Sequence, residues 1–267
     1  GVILGRADLI FDLIAKIGSD NASKEFYLTD CVELATKAGF KSSLVLCDER
    51  ETIGVNSLAE LARAEELFQR EKRIEFMQNG VQLNSPETVF FSFDTEIGKG
   101  TVIEQNVVIA PAVTIEENAT IRAFSHLEGC RIFSNSQIGP YARIRPGSIV
   151  SEGANVGNFV EVKKSIVGPK SKINHLSYIG DAKIGEKVNV GAGTITCNYD
   201  GVSKHNTNIE DGAFIGSNTM LVAPVKVGKS SVTASGSVIT KDIPDEALAF
   251  ARSRQENKIG MGKKLMN

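Results

Sequence analysis

The 267-residue chain has no tryptophan, three histidines and four cysteines, and aromatic residues make up only 6% of it. The cysteines, Cys31, Cys47, Cys130 and Cys197, lie far apart with no C-x-x-C spacing. That argues against a disulfide framework and a zinc knuckle, and reads as free thiols in a reducing compartment. The histidines, His126, His175 and His205, are 49 and 30 residues apart, which leaves no close pair for a zinc site. No apolar run is long enough to span a bilayer, and there is no signal-peptide pattern. The expectation is a cytoplasmic protein with no membrane partner. A formal net charge of −2 gives no reason to expect a nucleic-acid partner.

What the sequence does contain is a six-residue period. Ile97, Ile103, Ile109, Ile115, Ile121, Leu127 and Phe133 are six apart. A five-residue step leads to Ile138, Ile144, Val150, Val156 and Val162, and further short steps to Val167, Ile173, Ile179 and then Ile184, Val190, Thr196. After a longer gap come Ile209, Ile215, Leu221, Val227, Thr233 and Ile239. The residue four further on is mostly small or branched, and the residue one further on is often glycine. Neither helical nor simple strand periodicity produces this pattern, and a hexapeptide period specifies a parallel β-helix. Each hexad is a short strand plus a turn, and three make one coil of a triangular prism. About eight coils are expected between residues 97 and 243, with glycine serving the corners.

Residues 1–80 have a different character. Helical spacing is read over residues 8–17 and 24–38, the latter stopped by Gly39, with a buried strand over residues 43–47. Ser57-Leu58-Ala59-Glu60 is a capping box, starting a helix that Gly80 closes. This is α/β material, but too little for a complete sheet. It is read as the end of a larger domain plus a linker helix, the alternative being a helical cap on the solenoid. Residues 81–96 lead into the β-helix, and residues 245–267 read as a polar, basic tail whose end is expected to be disordered.

One break interrupts the register. Thr196 and Ile209 are 13 apart where six would suffice, so residues 197–205, which include Lys204, form a loop thrown out from a corner. Polar residues concentrate between Arg143 and Lys204. Arg145 and Lys163 differ by 18, one full coil, which stacks two cations on one face. Such a pair is either two solvated charges or an anion site, and phosphate suits a guanidinium fork beside an ammonium. His175, near a corner, is either structural or a base for an amine or hydroxyl nucleophile.

The segments Gly139-Pro140-Tyr141-Ala142-Arg143-Ile144-Arg145-Pro146-Gly147, Val156-Gly157-Asn158-Phe159-Val160-Glu161-Val162-Lys163-Lys164, His175-Leu176-Ser177-Tyr178-Ile179-Gly180-Asp181-Ala182 and residues 189–201 closely resemble the bacterial GlmU family. These proteins are bifunctional glucosamine-1-phosphate N-acetyltransferases and N-acetylglucosamine-1-phosphate uridyltransferases. The resemblance implies a mainly β fold, a left-handed parallel β-helix over residues 81–267, preceded by a uridyltransferase remnant and linker helix over residues 1–80. It implies a homotrimer with sites between subunits. His175 would be the general base. Arg145, Lys163, Tyr178, Asn189 and Lys204 would hold the sugar phosphate. Asn198, Tyr199, Ser217, Ser235 and Arg252 would surround acetyl-CoA, the cosubstrate; Ser235 stands where the family often has alanine. In the remnant, Tyr27 and Thr29 would lie near the UDP-sugar, and Asn56 would match a residue of the magnesium site. The glycine-rich nucleotide loop is missing, so Mg2+-dependent uridylyl transfer is expected of a longer protein only. Two other readings stand beside this one: a hexapeptide acyltransferase for another phosphorylated or nucleotide-linked amino sugar, and a β-helix serving only as a trimerisation scaffold.

Overall fold

A computed structural model describes residues 2–266 of the chain, which divide into two compact units at residues 67 and 68. In the second unit the hexads form two- to four-residue strands, all paired in parallel. Ile103 pairs with Ile121, Ile121 with Ile138, Ile138 with Val156 and Val156 with Ile173. Every third strand joins the same sheet, giving ten-, nine- and eight-stranded sheets among the described residues. The architecture is a left-handed parallel β-helix with three faces.

The core is a stack of like side chains. Ile103, Ile121, Leu127, Ile138, Ile144, Val156, Val162, Ile173 and Ile179 have no exposed surface. The small residues four positions on, such as Thr101, Ala119, Ser125, Ala154 and Ser171, are buried beside them. Their hydroxyls are used locally: Ser171 Oγ donates to the Gly185 carbonyl at 2.7 Å and accepts from the Val188 N–H at 2.9 Å.

Four details depart from the expectation. The solenoid has about nine coils, because Gln82–Leu83 already pairs with Val102–Ile103 and Leu248–Ala249 still pairs with Val232–Thr233. The tail is therefore part of the solenoid as far as residue 249, and its end forms a short helix. The inward residue after Leu127 is Ile132, not Phe133, since Cys130–Ile132 pairs in register with Ser148–Val150. The glycines after inward residues mostly serve close approach, not corners. Gly157 has ordinary φ, but a Cβ there would run into the Asn174 backbone carbonyl of the next coil. The left-handed corner positions are held instead by residues such as Asn106, Asn118, Phe124, Tyr141, Phe159 and Asp181.

The last turns of the 21-residue helix Leu58–Gln78 close the N-terminal end of this unit. Gln69 accepts from the Phe91 N–H at 2.9 Å and donates to the Phe91 carbonyl at 2.6 Å, replacing the ladder bonds of an absent coil. Phe76 packs on Phe91 with ring centroids 4.8 Å apart. Gly80, at φ +86°, ends the helix in a Schellman motif: Val81 N–H reaches the Phe76 carbonyl and Gly80 N–H that of Met77.

In the first unit, α1 (Ala7–Ile14) and α2 (Asp30–Lys37) bury Leu13, Cys31 and Ala35 against each other. Gly39 ends α2 as its position requires, at φ +84°. Half of the capping box forms as expected, the Glu60 N–H donating to Ser57 Oγ, while the Glu60 carboxylate takes the N–H of Asn56, one residue before the cap. The strand over residues 43–47 does not form. Leu44, Val45 and Leu46 are exposed and belong to no strand. A strand needs a hydrogen-bonding neighbour, and no described residue of this unit supplies one.

Candidate active site

His175 ends the strand Lys172–His175 of the ten-stranded sheet, at the corner leading to the nine-stranded one. It is exposed, and its backbone is fixed by Ser177 Oγ, which donates to the His175 carbonyl at 2.8 Å. Asn158 pairs with it one coil earlier, and the Asn158 Oδ1 lies 2.7 Å from His175 Nδ1. A carboxamide oxygen only accepts, so Nδ1 carries the proton and Nε2 presents a lone pair to solvent. An exposed imidazole held in that tautomer is arranged to accept a proton.

Two residues past each inward residue of this sheet, one column runs up the same corner: Asn158, His175, Ala192, Ser217 and Ser235. The Gly236 N–H donates to the Ser217 carbonyl at 2.8 Å, so Ser217 and Ser235 stand in adjacent coils. Arg252 follows past Ala251, whose carbonyl accepts from Val238 N–H. At roughly 4.8 Å per coil, the column from His175 through Ser217 and Ser235 to Ala251, the neighbour of Arg252, is about 19 Å long. Below His175 the same corner carries Phe124, Tyr141 and Phe159, stacked at centroid separations of 4.9 and 5.1 Å. Above it the residues are small.

The opposite edge of the nine-stranded sheet is cationic. Arg145 and Lys163 lie one coil apart on one face, as their spacing predicts, but Arg145 is not free. Its Nη1 lies 2.7 Å from Glu161 Oε1. Lys163 instead faces a second lysine, Lys204. Their side chains touch, and that contact, reinforced by the charge of Lys163, pulls the Lys204 ammonium below the ordinary lysine range, with Asp181 and Tyr178 opposing the shift. The inserted loop that carries Lys204 is a small hairpin. Tyr199 bridges Lys204 antiparallel, and the His205 N–H donates to the Asn198 carbonyl at 2.8 Å. At its tip the Asp200 carboxylate accepts the N–H groups of Ser203 and Val202 and faces His205 Nε2 at 2.7 Å, which holds it well below the usual carboxylate range.

Tyr178 and Asn198 converge here: a Cβ on Gly180 would meet the Tyr178 hydroxyl and Asn198 Nδ2. Cys197, beside them, has its thiol pushed up by burial, the reverse of an activated nucleophile. Asn189 lies on the neighbouring face, in register with Lys172. Tyr27, Thr29 and Asn56 belong to the first unit, where Thr29 precedes α2 and Asn56 is exposed. Among the described residues no group of three or more His, Cys, Asp or Glu could hold a metal ion, and no helix is long and apolar enough to cross a membrane. Asn158, Glu161 and Asp181 carry roles that the sequence reading did not assign. Counting one coil back from His175 is the signal that would have found Asn158, whereas Glu161 stands one coil on from Arg143 and no count singles it out as the partner of Arg145.

The description "Bacterial transferase hexapeptide (six repeats)" matches residues 94–129 and 206–241. A protein of Jannaschia sp. (strain CCS1) named "Bifunctional protein GlmU" is 54% identical over 265 residues, covering 99% of this chain and 58% of that protein. One of Roseobacter denitrificans with the same name is 56% identical over 267 residues, covering 100% and 59%. Along its whole length the chain is a relative of the GlmU proteins. It spans about 60% of the length of those GlmU relatives. Among solved structures, the LpxA UDP-N-acetylglucosamine acyltransferase of Bacteroides fragilis superposes with a TM-score of 0.54 at 22% identity, covering 60% of this chain and 69% of that one. At that identity the likeness concerns the fold alone.

Proposed function

We propose that this chain carries an acetyl-CoA-dependent N-acetyltransferase site acting on glucosamine-1-phosphate. The observation that carries the reading is the contact of Lys163 with Lys204. Two neighbouring ammonium groups repel, the Asp181 carboxylate offsets that only in part because the Lys204 shift is still downward, and a sugar phosphate would supply the remaining negative charge. Tyr178, Asn189 and the Arg145–Glu161 pair would hold the sugar. His175 Nε2 takes a proton from the substrate ammonium, and the freed amine attacks the thioester carbonyl. The N–C bond forms, the C–S bond breaks, and CoA leaves as a thiol after receiving a proton. The raised pKa of Cys197 supports direct transfer over an acyl-enzyme.

The proposal extends to a homotrimer with sites between subunits. Within one chain the groups assigned to acetyl-CoA divide between two edges of the prism. Asn198 and Tyr199 stand at the foot of the hairpin, while Ser217, Ser235 and Arg252 stand on the edge of His175. One donor molecule reaches both sets where the edges of two copies meet. The relatives' printed name, "Bifunctional protein", supports a second activity in a longer protein, uridylyl transfer with Mg2+, to which Tyr27, Thr29 and Asn56 of residues 1–80 would contribute. Residues 81–267 would form the acetyltransferase domain.

The test is release of CoA thiol on mixing the chain with acetyl-CoA and glucosamine-1-phosphate. Transfer to a UDP-linked amino sugar with none to glucosamine-1-phosphate would establish the alternative hexapeptide acyltransferase. No transfer to any amino sugar would leave a scaffold.

A further inference from the structure

We infer that Asp181 is a positioning residue that holds the Lys204 hairpin against Lys163, a role that rests on the sugar-phosphate reading of that lysine pair. Asp181 turns the corner after the strand Tyr178–Gly180, and it is only 6% exposed. Three of its groups connect three different pieces of the cluster. Its N–H donates to the Lys163 carbonyl at 3.1 Å. Its own carbonyl accepts the Thr207 N–H at 3.2 Å, where the hairpin returns to the solenoid. Its Oδ2 accepts Asn198 Nδ2 at 2.5 Å, where the hairpin departs.

The insert therefore has both stems fastened to one residue, and that residue is fastened to the strand end bearing Lys163. This matters because the lysine contact is repulsive. Left to itself, a nine-residue loop whose residues 199–204 are exposed would swing Lys204 away from Lys163 before any anion arrived. Fastening both stems means the ordering cost is met in folding and not in substrate binding, which is the physical content of preorganisation. Asp181 also sits at φ +47°, a left-handed conformation that Asp tolerates better than most residues. The buried side-chain bond to Asn198 is the part that a substitution can remove while both backbone bonds stay, and Asp181→Ala removes with it the carboxylate charge that acts on Lys204.

The experiment compares Asp181→Ala with Asp181→Asn in the full chain. Alanine removes the acceptor; asparagine keeps an oxygen for Asn198 Nδ2. Asp181→Ala should raise KM for glucosamine-1-phosphate about 10-fold or more, with KM for acetyl-CoA rising as well because Asn198 and Tyr199 share the hairpin, while kcat changes less than about 3-fold, and Asp181→Asn should restore both KM values to within about 3-fold of the parent. An Asn variant as impaired as the Ala variant would overturn the anchoring role, because charge alone would then be responsible. So would an Ala variant with unchanged KM. Hydrogen exchange provides a readout without substrate: amides of residues 198–205 should exchange about 10-fold faster in Asp181→Ala, while those of Val162 and Ile179 stay protected. Equal exchange throughout overturns the inference even if turnover is lost. If the unmodified chain fails to acetylate glucosamine-1-phosphate but the exchange difference appears, the substrate reading has failed and the anchoring role has not.

Discussion

His175 Nδ1 lies 2.7 Å from the carboxamide oxygen of Asn158, one coil below it in the same column. The bond decides which ring nitrogen is available as a base. His175→Ala should lower kcat by roughly 10²–10⁴-fold, the range of general base catalysis, with thermal stability unchanged because the ring is exposed. Asn158→Ala leaves the base in place but frees the ring to rotate and to adopt the other tautomer. Its kcat should fall about 10-fold, with little change in KM. Steady-state kinetics of both variants check this, and parent-like turnover of His175→Ala would remove the histidine from the mechanism.

Lys204→Met makes a different signature. It relieves the repulsion with Lys163, so the melting temperature should stay level or rise, whereas KM for the sugar phosphate should rise about 10- to 100-fold. The depressed pKa of Lys204, caused by Lys163, adds a pH effect. Substrate affinity should fall at a lower pH than the ordinary lysine value of about 10.4 would dictate. Loss of a stabilising contact would instead lower the melting temperature, so differential scanning together with KM at several pH values separates the two accounts.

The fold was legible because burial repeats. Ile121, Ile144 and Ile173 occupy equivalent positions, and a core of stacked like side chains leaves its period in the sequence. The ends were less legible, since Leu83, Phe91 and Ala249 take core positions in coils interrupted by prolines and short turns. At the site, coil counting placed Arg145 and Lys163 on one face. It did not reveal that Glu161 would take Arg145 or that the hairpin would bring Lys204 to Lys163, because side-chain choice among several nearby charges depends on distances that a period does not encode. The strand expected at residues 43–47 failed for a similar reason: apolar, β-prone residues specify a strand only where a partner edge exists.

Gly157 tests whether coil spacing controls the site. Its φ is ordinary, so the cost of Gly157→Ala is steric: the new methyl would collide with the Asn174 backbone carbonyl. Relief requires the coil that bears His175 to move away from the coil that bears Asn158. The expected destabilisation is about 3 kcal/mol, read from the urea midpoint, with kcat falling further than KM rises. Gly18→Ala is the control, since nothing lies within 4 Å of a Cβ there. Equal midpoints for the two variants would show that the coils have slack.

Cys130 predicts the alkaline behaviour of the solenoid. It is 5% exposed, opens the strand Cys130–Ile132, and burial pushes its thiol up to about 12. The folded chain keeps this proton while an unfolded thiol releases it near pH 8.5. Unfolding therefore liberates a proton above about pH 8.5, and the contribution of Cys130 to stability, complete below that pH, declines as the pH rises towards 12. Native protein treated with iodoacetamide at pH 8 should be alkylated at exposed Cys47 and not at Cys130. Because lysines and tyrosines also titrate in this range, the decisive comparison is with Cys130→Ala. The urea midpoint of the parent should fall more steeply between pH 8 and 10 than that of the variant. Identical slopes would mean that the Cys130 thiol ionises in the folded state as readily as in the unfolded one.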